Sequence, residues 1–252
     1  MRIDAFGLTD TGQARDSNQD AILVEGDAKL FAVADGVGGL NAGEVASGIA
    51  VGVLASELGT QSGVRRTIWQ HARREADTTA VRLGDAIRNA HARIRDAAER
   101  RGADRMASTI AAILVREDRV TIAHVGDSRV YRLRDGALVP LTRDHNALSE
   151  FIDAGVKLTE EQIAAFPYKN LITRGLGLKE TVDVALGRTD VRAGDVFLLC
   201  SDGLTGEVTD AEIETVLEQC PAADAACRAL IDLANERGGG DNVSVVVVRV
   251  LE

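Results

Sequence analysis

The sequence predicts an α+β protein in which two mainly antiparallel sheets face each other between outer helices, a four-layer α-β-β-α sandwich. Short turns separate consecutive apolar runs, such as Asp135-Gly136 between 128–134 and 137–141, and turns of this kind join antiparallel strands. The runs are rich in Val and Ile with little polar alternation, which is typical of sheets covered on both faces. Helices packed outside two facing sheets satisfy both observations.

The N-terminal part of the chain is expected to contain strands near residues 2–8, 20–25 and 29–34. A helix is predicted over 42–59 because its apolar residues are spaced to form one buried face. A second helical region is predicted from about 64 to 101, with a break near Asp77-Thr78-Thr79. Its apolar residues are sparse, so it should cover a core from outside, with His71 and His91 exposed.

Strands are predicted again further along the chain, at about 108–116, 119–125, 128–134, 137–141, 182–190, 195–200 and 243–250. Helices are expected between and after them, at 145–154, 159–165, 209–218 and 222–236. No internal repeat or Pro/Ser-rich linker divides the chain, so residues 1–252 are expected to form a single domain.

Composition narrows the classes of function. The formal net charge of −10 argues against nucleic acid as the main partner, and no apolar stretch approaches the roughly 20 residues of a membrane span. The N-terminus lacks an apolar signal region and the three scattered cysteines form no metal-ligand pattern, so a reducing cytoplasm is expected. The arginine-rich stretch 65–105 is either a docking face for an acidic partner or a solvated helix surface.

Four apolar runs are interrupted or preceded by an aspartate that has a glycine beside it or nearby. These junctions are Asp35-Gly36, Gly126-Asp127, Ser201-Asp202-Gly203 and Gly240-Asp241. Aspartate is disfavoured inside strands, so each acid is expected where a strand meets a loop. One Asp-Gly pair is ordinary turn chemistry, but four on buried strands indicate carboxylates gathered at one end of a sheet. Hard divalent cations bind such oxygen clusters.

A polar segment, Thr9-Asp10-Thr11-Gly12-Gln13-Ala14-Arg15-Asp16-Ser17-Asn18-Gln19-Asp20, precedes the four junctions. Together, and in this order, these motifs resemble the metal-dependent type 2C (PPM family) serine/threonine protein phosphatases in their bacterial form. The resemblance extends from Thr9 to Val248. Each motif alone is common, whereas the ordered set is highly specific.

The resemblance implies a site for two Mn²⁺ or Mg²⁺ ions. Asp35 would bridge both ions, and the backbone carbonyl of Gly36 would bind one of them. Asp202 and Asp241 would complete the other site. Asp127, together with Asp202, matches the position of a third, weaker metal ion.

Three further residues have roles by the same resemblance. Asp20 would hold metal-bound water, Arg15 would bind the substrate phosphate with its planar two-pronged donor, and Asn242 would orient Asp241. The catalytic group would then comprise Arg15, Asp20 and Asp35. The implied enzyme hydrolyses phosphoserine and phosphothreonine with a bridging water activated by two metal ions, since bound metal lowers the pKa of water from about 15.7 toward 7.

The sequence also departs from the family pattern. Val37 and Leu40 stand where relatives carry a histidine, so no side chain is assigned as general acid. A flap-like segment at about 145–170, which commonly shapes substrate access, has Phe166 in place of a usual histidine.

The expected partners are phosphorylated proteins, a cognate serine/threonine kinase and a phosphothreonine-binding scaffold. Type VI secretion control is one setting in which such partners are expected. The protein itself is expected to be a monomer that binds neither nucleic acid nor membrane. Two alternatives stay open: a catalytically weak or inactive module that binds phosphoproteins, and a phosphatase of an anti-sigma antagonist switch protein.

Overall fold

The computed structural model describes residues 1–39, 41–60, 75–103, 105–167 and 171–251. In this part of the chain the strands are β1 Ile3–Asp10, β2 Asp20–Glu25, β3 Leu30–Gly38, β4 Met106–Ser108, β5 Ile110–Arg116, β6 Arg119–Val125, β7 Arg129–Arg134, β8 Ala137–Pro140, β9 Ala185–Asp190, β10 Val196–Cys200 and β11 Val243–Val250. The helices are α1 Ala42–Leu58, α2 Glu75–Arg101, α3 Ala147–Asp153, α4 Glu160–Ala164, α5 Asp202–Thr205, α6 Asp210–Gln219 and α7 Ala223–Glu236.

The strands form two antiparallel sheets. One has the order β1-β11-β10-β7-β8, and the other has the order β2-β3-β5-β6-β9, with β4 paired to β3. Helices α1 and α2 pack on the second sheet, while α6 and α7 pack on the first. The predicted α+β sandwich is therefore confirmed.

Strand β3 shows why the sequence specifies sheets covered on both faces. Successive side chains of a strand point to opposite faces. Phe31 and Val33 join the core between the two sheets, together with Phe197 and Leu199 of β10. Leu30 and its alternating neighbours instead join the core beneath α1 and α2. Both faces of β3 are shielded from water, so polar and apolar residues do not alternate along this part of the strand.

The predicted break of the second helix is wrong. Helix α2 runs without interruption through 77–79, whereas the expected segment 64–74 lies outside the described residues. Leu83 and Ile87 are fully buried against the sheet, and this packing outweighs the modest helix propensity of threonine. Burial is one-sided, since Val81 is 56% exposed.

Three other local expectations also need correction. The strand predicted at 108–116 divides around Thr109 into β4 and β5, and the short helix α5 was not expected. His91 is buried rather than exposed, because its Nδ1 accepts a hydrogen bond from Gly177 N at 3.0 Å and its Nε2 lies 3.3 Å from Glu180 O. His71 lies outside the described residues.

Within the described part of the chain, no helix combines the length and apolar character of a membrane span.

Candidate metal and phosphate site

Most of the predicted acids lie at strand ends. Asp35 does not, contrary to the expectation that each acid stands where a strand meets a loop, because pairing with β4 extends β3 to Gly38. Asp20 begins β2 directly opposite Asp35 of β3. Asp202 follows β10 and Asp241 precedes β11, which are adjacent antiparallel strands, so the end of one meets the start of the other. Asp127 lies in the turn before β7, and β7 also pairs with β10.

Electrostatics show that these carboxylates act on one another. Burial raises the pKa of Asp35 well above its ordinary value, and the charges of Asp20, Asp202, Asp127 and Asp241 raise it further. Burial also raises the pKa of Asp20 to about 7 and that of Asp127 to about 7, with Asp202 adding to both. Repelling buried acids of this kind are stabilised by a cation between them.

The residues fit divalent cations. Asp20 Oδ1 and Asp202 Oδ1 are buried carboxylate oxygens without a hydrogen-bond partner in the described part of the chain. Leaving such atoms unsatisfied is costly, and a cation or its water would satisfy them. Among the described residues, however, no three His, Cys, Asp or Glu side chains form a group that could hold an ion alone. An ion bound here would take further ligands from backbone carbonyls and water, which are common ligands of Mg²⁺.

Gly36 has no room for a side chain. A Cβ there would lie 2.0 Å from Gly43 O and 2.6 Å from Gln19 O. Gly36 N also donates to Gln19 O at 3.1 Å, so β3 is held against both the start of α1 and the residue before β2. Glycine is required here by close backbone approach, and the role of its carbonyl as a ligand stays a prediction.

Ser201 holds Asp20 in place, a role that the sequence did not suggest. Its hydroxyl donates to Asp20 Oδ2 at 2.8 Å and accepts from Ser244 N at 2.9 Å. The serine is buried and joins β2 of one sheet to β10 and β11 of the other. Its position directly before Asp202 was the only signal in the sequence.

Thr109 and Ser128 form a second link that sequence reasoning missed. Asp35 N donates to Thr109 Oγ1 at 2.9 Å, and Thr109 N donates to Asp35 O at 2.8 Å. Thr109 Oγ1 lies 2.7 Å from Ser128 Oγ, next to Asp127. The break between β4 and β5 therefore fixes the backbone of Asp35.

Arg15 lies beside the acids, as predicted. Its Nη2 is 2.7 Å from Asp241 Oδ2, and the two side chains are 54% and 39% exposed. The hydrogen bond and charge of Asp241, with smaller effects of Asp202 and Asp35, raise the pKa of Arg15 above its already high ordinary value. An exposed ion pair of this kind contributes little to stability, and more than half of the Arg15 side chain stays open to solvent.

The two positions where a histidine was expected carry no side chain that could act as a general acid. Val37 is 42% exposed and cannot transfer a proton, and Leu40 lies outside the described residues. Two other histidines stack with their ring centroids 4.5 Å apart, His124 and His145. His145 Nδ1 accepts from Gly126 N at 3.2 Å, so this pair supports the turn that carries Asp127.

Burial, followed by the charges of His124 and Arg174, lowers the pKa of His145 to about 4. The unfolded chain, with an ordinary pKa of about 6.5, binds this proton first as pH falls. We therefore expect His145 to reduce the free energy of unfolding progressively between about pH 6.5 and 4. Urea unfolding of the chelated protein at pH 7.5 and 5 should show a smaller pH-dependent loss for His145→Asn than for the unsubstituted chain. Equal losses would contradict the assignment, because the acids that titrate nearby are common to both proteins.

Similarity to known proteins identifies the family of this chain. The chain belongs to the protein phosphatase 2C family, whose model matches residues 11–238. It is 38% identical over 246 residues to the serine/threonine protein phosphatase PstP of Mycobacterium tuberculosis, a match that covers 97% of this chain and 44% of PstP. It therefore spans less than half the length of that relative. It is also 35% identical to a putative protein phosphatase 2C-type of Streptococcus pyogenes, covering 95% of this chain and 94% of that protein.

Solved structures show the same fold. The catalytic domain of PstP in complex with two manganese ions superposes with a TM-score of 0.84 at 33% identity, covering 99% of each chain. PppA, a regulatory component of the type VI secretion system in Pseudomonas aeruginosa, superposes with a TM-score of 0.82 at 32% identity, covering 99% of this chain and 98% of PppA.

Proposed function

We propose that this protein removes phosphate from phosphoserine and phosphothreonine in proteins. The observation that carries the proposal is the position of Arg15, which lies 2.7 Å from Asp241 at the edge of a cluster of mutually repelling acids. A cation beside a metal site is useful only where an anion comes between them, and a phosphate monoester is such an anion. Membership of the protein phosphatase 2C family supports the same reaction.

Two Mn²⁺ or Mg²⁺ ions would be held by Asp35, the Gly36 carbonyl, Asp202 and Asp241. When bound, the ions supply a water of lowered pKa and neutralise charge on the phosphoryl oxygens. The crystal structure of PstP with two manganese ions supports this pair. Asp35 is the central ligand in this assignment, because the charges of all four other acids act on it.

The protein side chains position the substrate and the attacking water. Arg15 would bind two phosphoryl oxygens with parallel N–H donors. Asp20, fixed by Ser201 at 2.8 Å, would accept a hydrogen bond from water at its free Oδ1. Val37 provides no general acid, so the leaving-group proton would come from water.

A third, weaker ion at Asp127 is a separate part of the proposal. Burial raises the pKa of Asp127, and the charge of Asp202 raises it further, so the two ionised carboxylates repel each other. A shared cation would stabilise both ionised groups.

The complete set of acids does not favour the alternative of an inactive phosphoprotein-binding module.

We further propose that the enzyme acts as a monomer in the bacterial cytoplasm and opposes a serine/threonine kinase, with a phosphothreonine-binding scaffold as a further partner. The free thiols Cys200, Cys220 and Cys227 are consistent with a reducing compartment. The likeness to PppA makes type VI secretion control a setting to test first.

The test is hydrolysis of p-nitrophenyl phosphate and phosphothreonine peptides with Mn²⁺. We expect turnover that is abolished by a chelator and lowered about a hundredfold or more by Asp241→Asn, because this variant removes an anionic ligand. Asp118→Asn, at an acid 80% exposed beside Arg119, is the matched control and should keep full activity. Turnover without metal, or an unaffected Asp241→Asn, would refute the two-metal assignment.

A further inference from the structure

Residues 11–19, here called the Arg15 loop, have no helix or strand of their own, yet their backbone is fastened to the segment before β11. Gln13 N and Ala14 N both donate to Gly239 O, at 2.8 and 3.2 Å. The position of the Arg15 guanidinium therefore depends on contacts between the two ends of the chain.

Asn242 makes the largest set of these contacts. Its Nδ2 donates to Thr11 O and to Ser17 O, both at 2.9 Å, and its Oδ1 accepts from Gln19 N at 2.8 Å. A side-chain amide offers two N–H donors and one carbonyl acceptor, and all of these groups are used on this loop. The side chain is also buried, at 6% exposure, so water competes poorly for the bonds.

Asp241 is oriented by a different group of the same residue. The backbone Asn242 N donates to Asp241 Oδ1 at 2.8 Å. Any replacement except proline retains this backbone donor. The contacts of the Asn242 side chain with the loop can therefore be removed without removing its contact with Asp241.

We propose that Asn242 is a positioning residue for Arg15. Through its contacts with the Arg15 loop, the Asn242 side chain sets how far the guanidinium reaches toward the phosphate. The inference rests on the proposed function only for the identity of the anion. It differs from the sequence-based expectation that Asn242 orients Asp241, since the backbone N–H of Asn242, and not its side chain, makes that contact.

The test compares Asn242→Ala with Asn242→Ser, whose hydroxyl can restore one bond. Inorganic phosphate is titrated into the Mn²⁺-loaded protein by calorimetry, so no turnover is needed. We expect Asn242→Ala to weaken phosphate binding about tenfold, with Asn242→Ser between it and the unsubstituted chain. Mn²⁺ affinity, measured in the same way, should stay within about twofold, because the backbone contact to Asp241 is retained.

A double-mutant cycle with Arg15→Ala separates positioning from general structural damage. If Asn242 acts through Arg15, its replacement should weaken phosphate binding no further in the Arg15→Ala background. Additive losses would overturn the inference. So would a variant that loses Mn²⁺ affinity while its phosphate affinity is unchanged, since the side chain would then serve the metal ligands.

Hydrogen–deuterium exchange gives a readout that is independent of metal, phosphate and activity. Peptides covering 11–19 should exchange faster in Asn242→Ala, whereas β11 beyond the substitution should not. Unchanged exchange in the loop would refute the inference even if the phosphatase reaction is confirmed. Faster exchange and weaker phosphate binding in a protein that hydrolyses no phosphoester would refute the proposed function alone.

Discussion

Replacement of Asp35 by asparagine is expected to abolish phosphatase activity while stabilising the metal-free protein. Asparagine keeps the shape of the side chain and removes the charge that the ions need, so kcat should fall about a thousandfold or more. The stability effect has the opposite sign. Burial and four neighbouring charges raise the pKa of Asp35, so keeping it ionised at neutral pH opposes folding.

The pH dependence of this effect follows from the same shift. Because the folded-state pKa of Asp35 is raised, the folded protein binds its proton more tightly than the unfolded chain does. Asp35 therefore favours folding at low pH and loses that contribution as pH rises through the folded-state pKa. Thermal unfolding in chelator should show a higher Tm for Asp35→Asn than for the unsubstituted chain at pH 7.5, and a smaller difference at pH 4.

Asp118→Asn again provides the control, since it removes one acid from the exposed surface. It should change neither kcat nor Tm appreciably. Retention of activity by Asp35→Asn would exclude Asp35 as a ligand of both ions. A lower Tm in chelator would show that the carboxylate stabilises the fold through contacts other than a metal ion.

Gly36→Ala should destabilise the folded protein. The new Cβ would lie 2.0 Å from Gly43 O, and backbone oxygen cannot move aside as the end of a side chain can. Overpacking of this kind costs about 3 kcal/mol or more. For a chain of this size we expect Tm to fall by about 6 to 12 °C, measured by thermal unfolding in chelator.

A neighbouring glycine gives the matched control for this substitution. A Cβ on Gly39 meets no atom within 4 Å, so Gly39→Ala should leave Tm almost unchanged. If Gly36→Ala were as stable as Gly39→Ala, the close approach of β3 to α1 would be wrong.

The layered fold could be predicted because its signals are local. Residues 30–34 are apolar without interruption, and each face of β3 packs into a different core. Turn residues such as Asp135-Gly136 likewise specify a hairpin from within the hairpin, and β7 and β8 pair as expected. Asp127, Asp202 and Asp241 could be predicted as a group because each lies where a strand meets a loop. Asp35 is the exception, because β3 continues past it to Gly38.

The helix break and the exposure of His91 were wrong for the opposite reason. Both depend on what α2 packs against. Asp77, Thr78 and Thr79 weaken a helix in isolation, but a buried face that includes Leu83 and Ile87 stabilises the whole length. His91 is satisfied by Gly177 and Glu180, which lie more than 80 residues away in the chain.

The sequence by itself determined the two covered sheets, the order of the motifs and the types of residue available for binding metal and phosphate. Only the tertiary structure decided which hydrogen-bonding group holds which residue of the site in place. It placed Ser201 against Asp20 and directed the Asn242 side chain to the Arg15 loop while the backbone of Asn242 holds Asp241. The physical reason is distance along the chain. Strand patterns act between neighbours, whereas hydrogen bonds between residues 181 and 231 positions apart exist only after the two sheets have packed together.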